Sequence, residues 1–161
     1  TADDVAKIAL GVGMKVIFTG DYSEEKIITL TFFNGQTVDF TVETEPFKEV
    51  LQKSDFISIH APLQDGYLIS TKEFEHMKPG IGIVNASQGG LIDEVALVSA
   101  IENKTVKYAA LDVFENQPTP EIQLLMNPEI SFTPNIGSLT VESKQRVDEE
   151  LAKQITELLA E

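Results

Sequence analysis

Ile81-Gly82-Ile83-Val84-Asn85 is followed by Ala86-Ser87-Gln88-Gly89-Gly90, then by Ile92 to Glu102, and then by Val106-Lys107-Tyr108-Ala109-Ala110-Leu111. The first and last of these segments are short apolar runs of strand length, and the segment between them has helical length and an apolar face. Strand, helix and strand in this order predict an α/β fold with a mainly parallel sheet. The same rhythm extends downstream. Glu121 to Met126 reads as a short helix after two prolines, Ile130-Ser131-Phe132 as a last strand, and Thr140 to Leu159 as a long amphipathic helix. Val141, Val147, Leu151, Ile155 and Leu158 lie roughly on one face of that helix. Upstream, Thr71 is expected to cap a helix through Met77 that Lys78-Pro79-Gly80 stops. Phe56 to His60 reads as a strand ended by Ala61-Pro62, and Pro46 to Lys53 as a short helix. At the front, Val5, Ile8, Ala9 and Val12 share a helical face after Asp3 and Asp4. Gly11 and Gly13 close that helix, and Met14 to Phe18 reads as a buried strand.

One stretch breaks the rhythm. Lys26 to Phe33 and Gln36 to Glu43 are rich in Ile, Thr, Phe and Val, with Asn34-Gly35 between them. Both turn positions tolerate positive φ, so the segment predicts a β-hairpin, about 26–43, with a two-residue turn. A lone hairpin is marginal and must pack on something. Its expected role is interaction or edge protection, with a partner subunit, hence a homo-oligomer, as one possibility.

The length of 161 residues suits one core, here a single domain over 1–161, and 42% apolar with 24% charged residues is an ordinary globular balance. No apolar run reaches the ~20 residues that span a bilayer, which argues against a membrane partner. No basic segment followed by an apolar stretch marks a signal peptide. There is no cysteine, so there is neither a disulfide framework nor a thiolate metal site. These absences together give a cytoplasmic expectation. The formal charge of −14 opposes nucleic-acid binding, which needs cations to displace counterions. Arg146 is the only arginine, so a small-acid site must rely on lysine, backbone N–H groups or another chain. His60 and His76 are the only histidines. His60 ends a strand and reads as structural, and His76 as a surface residue beside Glu73 and Glu75. No His/Asp/Glu set has metal-ligand spacing.

Four segments carry a family resemblance. They are Ser54 to Leu63 (SDFISIHAPL), Val84 to Glu94 (VNASQGGLIDE), Ala109 to Pro118 (AALDVFENQP) and Thr133 to Ser138 (TPNIGS). In this order they resemble the D-isomer-specific 2-hydroxyacid dehydrogenases, most of all the 3-phosphoglycerate dehydrogenase branch. The opening helix and the Met14 strand are similar to that family's first helix and second strand. The resemblance implies a doubly wound, Rossmann-like parallel sheet, here lacking its usual first strand and carrying the hairpin as an insertion. It implies NAD as cofactor, lying across the C-terminal strand ends. The implied chemistry is hydride exchange between NAD(H) and a 2-hydroxy acid. An arginine would hold the carboxylate, a histidine would act as acid/base, and a glutamate would orient that histidine.

Carried over position by position, the arginine falls on Gln88, the glutamate on Gln117 and the histidine on Asn135. All three catalytic positions are neutral amides. An amide does not titrate near neutral pH, so Asn135 cannot shuttle a proton, and Gln88 brings no charge to a carboxylate. On the cofactor side, Ala2 matches the third glycine of the phosphate-binding turn. Gly20 stands where an acidic residue would bind the ribose, with Asp21 one place later. Pro62 would wall the adenine-side cleft. Ala86 and Ser87 follow their strand, Asp112 would face the nicotinamide amide, and Gly137 belongs to the last motif. Ser87 and Ser138 have no neighbouring base that would make either a nucleophile.

Two readings of function follow. The chain is a dehydrogenase nucleotide-binding domain, truncated and inactive as it stands. Alternatively, it is a non-catalytic relative, pseudoenzyme or engineered scaffold, acting through its hairpin and long helix as an oligomerisation or interaction module.

Overall fold

The computed structural model describes residues 2–20 and 25–159. The elements run α1 (Ala2–Gly11), β1 (Glu25–Thr31), β2 (Thr37–Glu43), α2 (Phe47–Lys53), β3 (Phe56–Ile59), α3 (Thr71–His76), β4 (Ile81–Asn85), α4 (Glu94–Glu102), β5 (Val106–Leu111), α5 (Ile122–Leu125), β6 (Ile130–Phe132) and α6 (Val141–Leu159). Strands β3-β4-β5-β6 form a parallel sheet in chain order, and β1-β2 form a separate antiparallel pair. The α/β class and the parallel sheet agree with the strand–helix alternation of the sequence.

The parallel sheet packs on α3, α4 and α5 through one core. Ile83, Leu97, Leu91, Ile69, Val106 and Leu124 lie at its centre, each almost wholly removed from solvent. Local chemistry fixes the helix starts. Asp93 accepts the N–H of Ala96 at the head of α4. At α3 the cap is Ser70, not Thr71. Ser70 is extended (φ −131°), Thr71 is already helical, and the Glu73 carboxylate accepts from the Ser70 N–H and hydroxyl.

The hairpin has its own small core. Ile28 and Val42 bury against Ala6 of α1 and Phe18, with Ala2, Leu10, Val16 and Phe40 packed around them. Two expectations need correction here. The turn is a three-residue loop, because Phe32 N–H donates to Gln36 O and Gly35 N–H to Phe32 O, with only Gly35 at positive φ (80°). This is a type I turn closed by a glycine bulge. Asn34 instead uses its side-chain oxygen to accept the Gln36 N–H.

Met14 to Phe18 is not a buried strand either. Met14 is half exposed, and only Phe18 makes a bridge, parallel to Thr44. Among the described residues the rest of the segment pairs with no strand, so its apolar run does not acquire a ladder. The long helix α6 forms as its sequence predicts, yet Val141, Val147, Leu151, Ile155 and Leu158 are all exposed.

Candidate functional site

Parallel strands point their C-terminal ends the same way, so the loops that follow β3, β4, β5 and β6 gather along one edge of the sheet. That edge is where ligands bind in open α/β sheets. Each loop is held by a specific polar device.

After β4, buried Asn85 closes the turn. Its side-chain oxygen accepts the Ser87 N–H at 3.1 Å and its amide donates to Gln88 O at 3.0 Å. Ser87 Oγ reaches across to Ala61 O at 2.8 Å, tying the β4 loop to the β3 loop. Gly89 then presses on the β5 loop. A Cβ there would lie 2.0 Å from Phe114 O, so no other residue fits without moving backbone. Gly90 takes φ +81°.

After β5, Asp112 organises the last loop. It is buried, and its carboxylate accepts from Thr133 Oγ1 (2.5 Å), Ile136 N–H (2.9 Å) and Gly137 N–H (2.9 Å). Burial by itself raises the pKa of a carboxyl. Here the Thr133 hydroxyl and the Gly137 and Ile136 N–H groups outweigh it and hold Asp112 below its ordinary value. The backbone takes part as well, since Asn135 N–H donates to Asp112 O at 2.8 Å. Asn135 sits at φ 54°, in the left-handed region that asparagine tolerates better than most residues.

These loops surround a cavity of about 380 Å3 whose lining includes Gln88, Gln117, Asn135, Ser87, Ser138 and Glu115. The structure therefore brings together all three positions that the sequence singles out as catalytic. Asn135 Nδ2 donates to Gln117 Oε1 at 3.2 Å, and Ser138 Oγ donates to Asn135 Oδ1 at 3.2 Å. The side chain of Gln88 is exposed and has no partner among the described residues.

The cofactor-side positions are more scattered. Pro62 and Ala86 are exposed beside the same edge, and Ser87 is spent on Ala61. Gly137 has no room for a side chain, since a Cβ would meet Asp112 Oδ2 at 3.0 Å. Ala2 packs into the hairpin core. Asp21 lies outside the described residues. His60 stands at the end of β3, bonded to Ser58 Oγ through Nε2 at 2.9 Å, and partial burial lowers its pKa.

Sequence reasoning missed Glu115. Its Oε1 accepts the Glu94 N–H at 2.9 Å and its Oε2 the Tyr67 hydroxyl at 3.1 Å, while its own N–H donates back to Glu94 Oε1 at 2.8 Å. Glu94 is buried, which raises its pKa; the negative charge of Glu115 adds to that, and the Glu115 N–H partly opposes it. Asn85 was also missed, although a signal existed: Asn followed two places on by Ser is an Asx-turn pattern.

The model of the D-isomer specific 2-hydroxyacid dehydrogenase NAD-binding domain matches residues 1–137. The chain belongs to this family. It is 39% identical over 157 residues to a hydroxypyruvate reductase of Thermotoga maritima, covering 94% of this chain and 47% of that protein. It is 35% identical over 116 residues to a D-3-phosphoglycerate dehydrogenase of Bacillus subtilis, covering 71% of this chain and 22% of that one. Among solved structures, a glyoxylate reductase from Paecilomyes thermophila superposes with a TM-score of 0.75 at 34% identity, over 90% of this chain and 42% of that one. The chain thus spans less than half the length of these relatives.

NAD is the family's cofactor, and the residues present fit its nicotinamide end. The cleft at the ends of β3 to β6 is open, lined by small or polar side chains, and firmly held by Asn85, Gly89 and Asp112. The first turn of α1 fits less well. It carries Asp3 and Asp4 where a phosphate would meet a helix N-terminus. Lys26 pairs with Asp3 at 2.5 Å across the hairpin junction. Bound NAD would supply a hydride acceptor or donor, and the chain's own groups would orient it and hydrogen-bond to a ligand beside it. They cannot move a proton at Asn135.

Proposed function

We propose that this chain is a nucleotide-binding domain of the 2-hydroxyacid dehydrogenase type whose cleft has lost the family's acid/base chemistry. The hydrogen bond from Asn135 Nδ2 to Gln117 Oε1 carries the reading. An amide donor pairs with an amide acceptor in the place of an imidazolium and a carboxylate. Neither group titrates near neutral pH, so no proton is available to a substrate hydroxyl or carbonyl oxygen. General acid–base catalysis contributes roughly 10²–10⁴-fold to such reactions, and the missing cation at Gln88 compounds that loss. The test is NADH oxidation with hydroxypyruvate and with glyoxylate, the substrates named for its relatives. No turnover above the protein-free rate is expected. Sustained turnover that scales with protein concentration overturns the reading. Calorimetric titration with NADH then separates an inert cleft from a binding one. A Kd near 100 μM, about −5.5 kcal/mol, marks a domain that still holds cofactor.

A second reading rests on a different observation. Phe33 at the hairpin tip is fully exposed, and Phe32 and Val38 beside it are about half exposed. Aromatic side chains offered to solvent at a loop tip suit a protein partner, and a second copy of this chain would make a homo-oligomer. Light scattering on the purified chain tests it: a dimer that Phe33→Ser dissociates supports the reading, and a monomer at all concentrations rejects it.

A further inference from the structure

The cavity between the β4, β5 and β6 loops has a consistent chemical character. Among the described residues its lining holds the amides of Gln88, Gln117 and Asn135, the hydroxyls of Ser87 and Ser138, which already donate to Ala61 O and Asn135 Oδ1, and no cation. The one charged lining residue is Glu115, whose carboxylate already accepts from Glu94 N–H and Tyr67. Asp112, also anionic, lies beneath the loop that carries Asn135. A ligand carboxylate entering here would meet like charge and find no cation to offset that cost.

The hydrogen-bonding pattern is as definite as the charge. Asn135 is engaged at both ends, donating to Gln117 and accepting from Ser138. Gln117 therefore has its oxygen occupied and its NH2 available. Gln88 has both ends available. An amide offers two donors and one acceptor, and it pairs most completely with a group that offers the same. A primary carboxamide can exchange two N–H···O bonds with Gln88, and its oxygen can also accept a hydrogen bond from Gln117 Nε2. A carboxylate, which only accepts, can take N–H groups from Gln88 and Gln117 but has no donor for the Gln88 oxygen.

We propose that this cavity recognises an uncharged primary carboxamide and discriminates against the corresponding free acid. The inference rests on the reading that the cleft no longer performs acid/base chemistry, and it concerns binding alone. At about 380 Å3 the cavity is large enough for a ligand of a few heavy atoms.

Lactamide and lactate are a matched pair that differ only in the group at issue. Each is titrated into the 15N-labelled chain at neutral pH without cofactor, and the side-chain NH2 signals of Gln88, Gln117 and Asn135 are followed. Lactamide is expected to move these signals and to bind at least tenfold more tightly than lactate, about 1.4 kcal/mol. In Gln88→Arg, checked for folding by its backbone amide spectrum, the preference is expected to reverse. Equal or tighter binding of lactate by the unaltered chain overturns the proposal. So does the absence of any NH2 shift with lactamide up to about 50 mM, a Kd too weak for recognition. The titration is independent of the turnover assay. Activity with a keto acid would sink the functional reading, whereas lactate preference in an inactive chain would sink only this inference.

Discussion

Asp112 and Glu94 are both buried carboxyls beside the same cleft, and their environments push them in opposite directions. Asp112 receives a hydroxyl and two backbone N–H groups, and these hold its pKa down against its burial. Glu94 receives one backbone N–H, from Glu115. Burial, reinforced by the neighbouring negative charges of Glu115 and Glu121, holds its pKa up. Burial raises both; at Asp112 three donors aimed at the charged form outweigh it, whereas at Glu94 one donor does not outweigh burial joined by like charge. The two residues also anchor different things. Asp112 fixes the loop that presents Asn135. Glu94 and Glu115 join the start of α4 to the loop that presents Gln117, each accepting the other's N–H. The candidate site depends on both anchors, and the substitutions that separate them fall in a clear order.

The largest effect is expected where the two loops touch. Gly89→Ala places a Cβ 2.0 Å from Phe114 O. Backbone must move on one side or the other, at a cost of about 3 kcal/mol, the upper end of ordinary overpacking. Urea unfolding of the variant should show this loss. A loss below about 0.5 kcal/mol, the range of neutral surface changes, would show that the Gly89–Phe114 contact is not a fixed junction.

Next is Asp112→Asn. The carboxamide keeps one acceptor and turns a donor toward a backbone N–H of the loop. Hydrogen bonds to charged groups contribute about 1.5–3 kcal/mol each, and about 2–3 kcal/mol in total is expected to be lost. The pH dependence identifies the cause. The folded pKa of Asp112 is depressed, so its contribution is fully present above the ordinary carboxylate range. It is lost as pH falls through the folded value. Asp112→Asn should therefore be most destabilised near neutrality and converge on the parent chain in strong acid. A constant difference across that window would mean that packing, not charge, is what Asp112 supplies.

The contrast between these anchors also marks what could be read from sequence. The strands β3 to β6 were legible because their apolar runs have strand length and alternate with helical periods, as Ile81 to Asn85 does before α4. The meeting of Gln88, Gln117 and Asn135 was legible because the motifs that contain them end strands of one parallel sheet. Met14 to Phe18 failed as a strand because an apolar run states only that burial is favourable, whereas a ladder needs a paired neighbour along its length, and among the described residues only Phe18 finds one, at Thr44. The hairpin turn was misread by one residue. Asn34-Gly35 permits positive φ at both places, and the backbone uses it only at Gly35 while the Asn34 side chain bonds Gln36. Glu115 was invisible for a similar reason. A glutamate next to Asn116 in a polar loop looks solvated, and its exchange of bonds with Glu94, twenty-one positions away, exists only after folding.

Glu94→Gln is the smallest expected effect and the sharpest test of the comparison. The carboxamide oxygen can still accept the Glu115 N–H, so the reciprocal clasp survives, while the buried charge is removed. The folded pKa of Glu94 is raised, so the sign is opposite to that of Asp112. The parent chain gains from this group below the ordinary carboxylate range and loses that gain as pH rises through the folded value. The variant lacks that loss. It should match the parent in acid and equal or exceed it near neutrality, by up to about 1 kcal/mol, as removal of an incompletely solvated charge allows. Urea midpoints taken from about pH 3.5, below the ordinary glutamate value, up to neutrality resolve this. If Glu94→Gln is instead destabilised near neutrality and converges on the parent in acid, the Glu94 carboxylate is a satisfied charge like Asp112, and the donor count that separates the two anchors is wrong.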